Sequence, residues 1–180
     1  DKTIIDQLTK IYLEHGGGGN NFESYNLAWY FARYHTVHDA MMKRSKRGYL
    51  FTVGDEEAPH DLSRSQIETF ISKKDGQFAL GTAELLKACQ QVYDVYHIVI
   101  EQGDYAQRQP ERVMSTWNRL LGQHVIPLSD YEKLAETVVS TIAIAEGANV
   151  TWDGETADVV HAATKHLPRP PTTDRPVVTL

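Results

Sequence analysis

Apolar residues recur along the chain with two periods, one typical of helices and one typical of buried strands. Apolar positions three and four residues apart predict helices over about 2–14, 24–43, 63–71, 82–91, 110–122, 130–147 and 155–166. Short apolar runs bounded by glycine or polar residues predict strands at Tyr49–Val53, Val95–Ile100 and His124–Leu128. We expect the first two strands to be buried on both faces, whereas Pro127 places the third at an edge of the sheet.

Local signals sharpen several of these elements. Ser63 and Gln66 have capping-box spacing and open the third helix, and Pro110 suits the first position of a later one. The 24–43 helix is expected to bury an apolar face, and the spacing assigns to that face Leu27, Ala28, Phe31, Ala32 and, further on, Val37 and Met41.

The alternation of strands and helices indicates the fold class. Three strands separated by helices call for a mostly parallel sheet with helices on both faces, a three-layer α/β/α domain of Rossmann-like type. We place this domain at residues 1–167. The remaining residues, 168–180, begin with a proline-rich run and are expected to form an extended, exposed tail.

Composition narrows the functional classes. The 24 acidic residues outnumber the 18 basic ones, giving a net charge of -6, which disfavours a nucleic-acid binder. No apolar run approaches the roughly 20 residues that a membrane span needs, and the first residues do not form an apolar secretory leader. Cys89 is the only cysteine, so an intrachain disulfide is excluded and a cytoplasmic setting is favoured.

Two segments are rich in oxygen-bearing side chains. Four glycines at 16–19 lead into Asn20, Asn21, Glu23 and Ser24, and the first strand is followed directly by Asp55, Glu56 and Glu57. Ligands of open parallel sheets collect where strands end and loops lead into helices. Carboxylate, amide and hydroxyl oxygens are the ligands that Mg²⁺, Mn²⁺ and Ca²⁺ prefer. The sequence therefore predicts a divalent-cation site, provided that both segments lie at the same edge of the sheet.

These segments carry a family resemblance. The glycine-rich loop followed by ESYNLAWYFA resembles the second metal loop of von Willebrand factor A domains, and LFTVGDE resembles the strand that carries their third loop. VYHIVI and HVIPL then fall where that family places its next two strands. The resemblance covers residues 1–147 and is nearest to bacterial and phage proteins of this type.

The resemblance implies a binding module rather than a catalyst. Such domains hold a divalent cation, for which Mg²⁺ is the first candidate and Mn²⁺ or Ca²⁺ the alternatives. A carboxylate from a protein partner completes the coordination of the cation. By position, Asn20 and Asp55 correspond to the family's second-loop and third-loop ligands, and Ser24 and Glu56 are the additional candidates. The family's Asp-x-Ser-x-Ser loop and its central strand are absent from these residues. The sheet is then incomplete at its N-terminal side, and we expect a second copy or an N-terminal segment to cover the edge.

Other interpretations stay open at this point. A metal-assisted hydrolase or phosphotransferase would use Asp55 and Glu56, and a structural component of a phage or bacterial assembly would need no metal. The glycine run by itself is typical of a flexible connector, and three consecutive acidic residues are typical of a solvated turn. His35 and His38 have zinc-ligand spacing but no third ligand nearby. Cys89 lies on an apolar helix face, which favours a buried, inert thiol.

Overall fold

The computed structural model describes residues 2–10, 23–74, 79–170 and 177–178. The helices in this part of the chain are α1 (Lys2–Leu8), α2 (Tyr25–Tyr34), α3 (Asp39–Arg44), α4 (Arg64–Phe70), α5 (Thr82–Gln90), α6 (Asp104–Arg108), α7 (Pro110–Leu121), α8 (Leu134–Ala145) and α9 (Gly154–Thr164). The strands are β1 (Gly48–Gly54), β2 (Tyr93–Ile100), β3 (Val125–Leu128), β4 (Asn149–Val150) and β5 (Val177–Val178). Helices and strands alternate as the sequence pattern predicts.

In the part of the chain that the structure describes, the main sheet has three parallel strands in the order β1-β2-β3. β1 pairs with β2 along its whole length, from Gly48 opposite Tyr93 to Gly54 opposite Val99. β3 pairs with the second half of β2, beginning with Val125 opposite His97. β2 is therefore the central strand, and its predicted burial on both faces is confirmed. β3 lies at an edge, as Pro127 predicts.

Helices cover both faces of the sheet, which confirms the three-layer α/β/α class. One core lies between the sheet and α2, α4, α5, α6 and α7, and β2 contributes Val95 and Val99 to it. The second core lies beneath α8 and α9, and β2 contributes Tyr96 and Ile98. Neighbouring residues of one strand enter opposite cores because side chains alternate across a sheet.

The expected burial of the first strand on both faces is wrong. β1 lies at an edge, and Thr52 is its only buried side chain, whereas Val53 is 40% exposed. The described residues place no strand against the outer edge of β1. An apolar run predicts that a strand is buried against other elements. It does not predict whether the strand has a neighbouring strand on one side or on both.

The predicted helix over 24–43 is divided into α2 and α3. The Thr36 hydroxyl donates to the Ala32 carbonyl, and the hydroxyl of Tyr93 also donates to that oxygen, from β2. His38 then starts α3, because its Nδ1 accepts the Met41 backbone N–H at 3.2 Å. The break is stabilised by contacts with Tyr93, which lies far away in sequence.

The buried face of α2 agrees with the predicted one only in part, since Leu27 and Ala32 pack against the core as expected but other positions differ. Trp29 and Tyr30 enter the core, and Asn26 is buried with them. The Asn26 side-chain amide donates to the His60 carbonyl and to the Thr82 hydroxyl, so this polar residue connects α2 to the start of α5. Phe31, which the spacing assigns to the inner face, is 50% exposed. Asn26 can be buried at this position because its side-chain amide is hydrogen-bonded.

The C-terminal residues contribute one short pairing. Val177–Val178 pairs parallel with Asn149–Val150 as a separate two-stranded sheet. The glycine run 16–19 and its asparagines lie outside the described residues.

Replacing Ser63 with alanine should destabilise the protein by about 1 kcal/mol, the usual contribution of a helix N-cap. The Ser63 hydroxyl accepts the Gln66 backbone N–H, and the Gln66 side chain accepts the Ser63 backbone N–H, so both halves of the capping box are present. Urea denaturation measures the change. Thr69→Ala, an exposed substitution on the same helix, should stay within about 0.5 kcal/mol of wild type. Equal losses in the two variants would contradict the capping assignment.

Candidate functional site

The carboxyl ends of the three main strands meet at one edge of the sheet. β1 leads into Asp55, Glu56 and Glu57, β2 leads into the loop before α6, and β3 leads into Ser129. We call residues 55–57 the acidic turn. In parallel sheets this edge is where ligands bind, because loops from several strands converge there.

Asp55 is directed toward the loop that follows β2. Its Oδ2 accepts the backbone N–H of Tyr105 at 3.0 Å, so the carboxylate satisfies a free donor in the first turn of α6. Gly103 lies against the same carboxylate, and a Cβ at this position would collide with Asp55. The contact fixes the Asp55 carboxylate at the carboxyl edge of the sheet.

Glu56 lies among other carboxylates. Burial raises its pKa, and the negative charges of Glu23, Asp55 and Glu57 raise it further. Its Oε2 is buried and makes no hydrogen bond to any described residue. An acidic group in such a position binds a proton or a cation more readily than an exposed glutamate does.

The start of α2 lies at the same edge as the acidic turn. Tyr25, the first residue of α2, packs against Gly54, and a Cβ on Gly54 would collide with the Tyr25 hydroxyl. Glu23 is close enough to raise the pKa of Glu56. Glu23, near the end of the first of the two segments that the sequence singled out, thus lies close to the acidic turn, whereas residues 16–22 lie outside the described residues.

The predicted ligand residues are only partly brought together. Asp55 and Glu56 are neighbours at this edge. The Ser24 hydroxyl is engaged elsewhere, because it accepts a hydrogen bond from the Gln66 amide at 3.3 Å. Asn20 lies outside the described residues. Within the part of the chain that the structure describes, no group of three or more His, Cys, Asp or Glu side chains is arranged to hold a metal ion.

Glu57 departs from the expectation of a solvated acidic turn. It is only 3% exposed, and its Oε1 accepts the Tyr105 hydroxyl at 2.5 Å and the Arg112 Nε at 2.7 Å. The hydrogen bond raises the pKa of the Tyr105 hydroxyl. Glu57 therefore connects β1 to α6 and α7. The sequence carries no signal for this network because its members lie about fifty residues apart.

Three aromatic rings pack together in the core next to the acidic turn. His97 lies flat on Trp117, with ring centroids 3.5 Å apart and planes 8° apart, and Tyr25 meets both rings edge-on. The Trp117 indole N–H donates to the Glu56 carbonyl at 2.8 Å. The stack therefore links the central strand, α2 and α7 to the backbone of the acidic turn.

His97 is a structural residue rather than an accessible base. Its ring is fully buried, and Nδ1 lies 2.9 Å from the Thr52 hydroxyl on the neighbouring strand. Burial lowers the pKa of His97 to about 3, so the ring is neutral at physiological pH.

The other sequence candidates have structural roles. His35 stacks on Phe31 and His38 caps α3, so the two rings do not share one helix face. The Cys89 thiol is buried and donates to the Trp29 carbonyl. Burial raises its pKa to about 11, which confirms the expected buried, inert thiol.

The burial of neutral His97 should make stability depend on pH. The unfolded chain takes up a proton near pH 6.5, whereas folded His97 resists protonation down to about pH 3. The stability it contributes is therefore fully present above about pH 6.5 and is lost as the pH falls toward 3. The free energy of unfolding can be measured by urea denaturation at several pH values between 7.5 and 5. It should fall less steeply with decreasing pH in His97→Phe than in wild type. His161→Phe, at an exposed position on α9, should keep the wild-type dependence of unfolding free energy on pH. The same pH dependence in His97→Phe as in wild type would contradict the burial of a neutral His97.

Comparison with protein-family models, with curated proteins and with solved structures gave no match. The resemblance to von Willebrand factor A domains therefore stays a prediction. None of the described helices combines the length and apolar character that crossing a membrane requires. What the structure gives is a Rossmann-like α/β fold with an acidic turn at the carboxyl edge of its parallel sheet.

Proposed function

We propose that this domain is a protein-binding module similar to von Willebrand factor A domains. In this proposal the carboxyl edge of the sheet receives a carboxylate from a protein partner, and a divalent cation such as Mg²⁺ mediates the contact. Asp55 and Glu56 supply the cation's acidic oxygens on the side of the domain.

One observation carries the proposal, namely the position of α2 relative to the acidic turn. Tyr25 packs against Gly54, and the negative charge of Glu23 reaches Glu56. Two segments separated by about thirty residues thus place carboxylates at the same edge of a parallel sheet, which is where ligands of such sheets bind.

The electrostatics of this edge favour a cation. Like charges at short range raise the free energy of the ionised state, and burial adds to that cost. A divalent cation would offset both contributions, and carboxylate oxygens are its preferred ligands. The unpartnered Oε2 of Glu56 is consistent with a ligand atom at this position. Because the described side chains do not complete a coordination shell, the proposal assigns the remaining positions to Asn20, to water and to the partner.

The chemistry of the surrounding residues favours binding over catalysis. His97, which lies beneath the acidic turn, is buried and neutral. Cys89 has a raised pKa and is inaccessible. The Asp55 carboxylate accepts the backbone N–H of Tyr105 and is engaged as a hydrogen-bond acceptor at the start of α6. An edge with several carboxylates suits recognition of a cation and of the carboxylate that a partner presents to that cation.

The cation part of the proposal can be tested by isothermal titration calorimetry of the full chain with Mg²⁺ and Mn²⁺. Wild type should bind one cation, and Asp55→Asn together with Glu56→Gln should weaken the affinity at least about tenfold, because each substitution removes a charged ligand and keeps its shape. The amide oxygen introduced by Asp55→Asn can still accept the Tyr105 N–H, so the fold should be retained.

A matched control carries Asp39→Asn and Asp158→Asn, which remove two negative charges from exposed positions on α3 and α9. Its cation affinity should equal that of wild type. If wild type bound no cation, or if the control lost as much cation affinity as the double variant of Asp55 and Glu56, the cation part of the proposal would be wrong.

A further inference from the structure

The outer edge of β1 is built differently from the edge formed by β3. β3 has four residues and contains Pro127, two features that discourage further pairing. β1 has seven residues without proline, and among the described residues no strand pairs with its outer edge. Unpaired N–H and C=O groups along a strand of this length form a template for another strand.

The side chains of β1 are covered unequally. Leu50 and Thr52 lie on the face that α2 and its neighbours cover. Tyr49 and Phe51 lie on the opposite face and are only partly buried, although Phe51 stacks on Tyr96 of β2. Val53, on the same face by alternation, is 40% exposed. An apolar row thus runs beside the unpaired edge.

The charges at the two ends of β1 are opposite. Lys46 and Arg47 precede the strand, and Asp55 and Glu56 follow it. Lys46 pairs with Glu146, and Arg47 pairs with Asp94, but the two basic side chains remain 60% and 51% exposed. Each can therefore approach a second acidic group.

These three features make the edge complementary to itself. We propose that β1 pairs antiparallel with β1 of a second copy, so that the two sheets join into one continuous six-stranded sheet. A pairing centred on Phe51 sets Tyr49 opposite Val53 of the second copy, and it sets the two Phe51 residues opposite each other. The partly exposed apolar row of each copy is then covered by the same row of the other.

The charges select the direction of this pairing. In the same register, Arg47 lies opposite Asp55 of the second copy, and Lys46 lies opposite Glu56. A parallel pairing would instead place basic residues against basic residues and acidic against acidic. The antiparallel arrangement also has two-fold symmetry, which closes the assembly at two copies.

Sedimentation equilibrium of the full chain in EDTA tests the pairing without any contribution from divalent cations. Wild type should sediment as a dimer that weakens with added salt, because the flanking ion pairs are exposed to screening. Val53→Lys, which places a charge at the carboxyl end of the apolar row and opposite Tyr49 of the second copy, should give a monomer with the wild-type circular dichroism spectrum. A wild type that sediments only as a monomer would overturn the proposal.

A charge swap distinguishes this register from other contacts. Lys46→Glu should raise the dimer dissociation constant at least about tenfold, because it sets two acidic residues opposite each other. Adding Glu56→Lys to the same chain should restore dimerisation. Lys165→Glu, an exposed change distant from β1, should leave the constant unaltered. A dimer that is insensitive to Val53→Lys, or one that the second charge change fails to restore, would show that a different surface is used.

Discussion

The structure depends on β2 being apolar on both of its faces and paired along both of its edges. A strand in this position cannot face water on either side, so helices must cover it above and below. Val95 and Val99 anchor the core beneath α5 and α7, and Tyr96 and Ile98 anchor the core beneath α8 and α9. β1 and β3 are placed by their pairing with β2, and helices such as α2, α7 and α9 are placed by their contact with one of these cores.

The same strand determines where the candidate site lies. His97, the polar residue within the buried row of β2, is held by Thr52 on one side and stacks on Trp117 on its face. Trp117 in turn holds the Glu56 backbone. The backbone of the acidic turn is thus held by core packing, through the Trp117 hydrogen bond and the stack of Trp117 on His97.

Two surfaces of β1 follow from its place at the edge of the sheet. Its carboxyl end presents the acidic turn, and its outer edge presents backbone groups that no described strand pairs with. Both proposals use this one strand, yet they differ physically, since cation binding draws on carboxylates and strand pairing draws mainly on backbone groups and apolar side chains. In the joined sheet the basic residues of the second copy would approach the acidic turn, so the occupancy of one surface is expected to influence the other.

The sequence by itself determined the features that arise from short-range chemistry. Apolar runs located all three main strands, Pro127 placed β3 at an edge, and Ser63 with Gln66 marked the start of α4, because each depends on neighbouring residues. Tertiary structure alone decided the break between α2 and α3, which Tyr93 stabilises from β2, and the burial of Glu57 against Tyr105 and Arg112. It also decided that β1 lies at an edge and that the start of α2 reaches the acidic turn. These features depend on contacts between residues distant along the chain, and the spacing of side chains along a chain does not encode which distant partner each will meet.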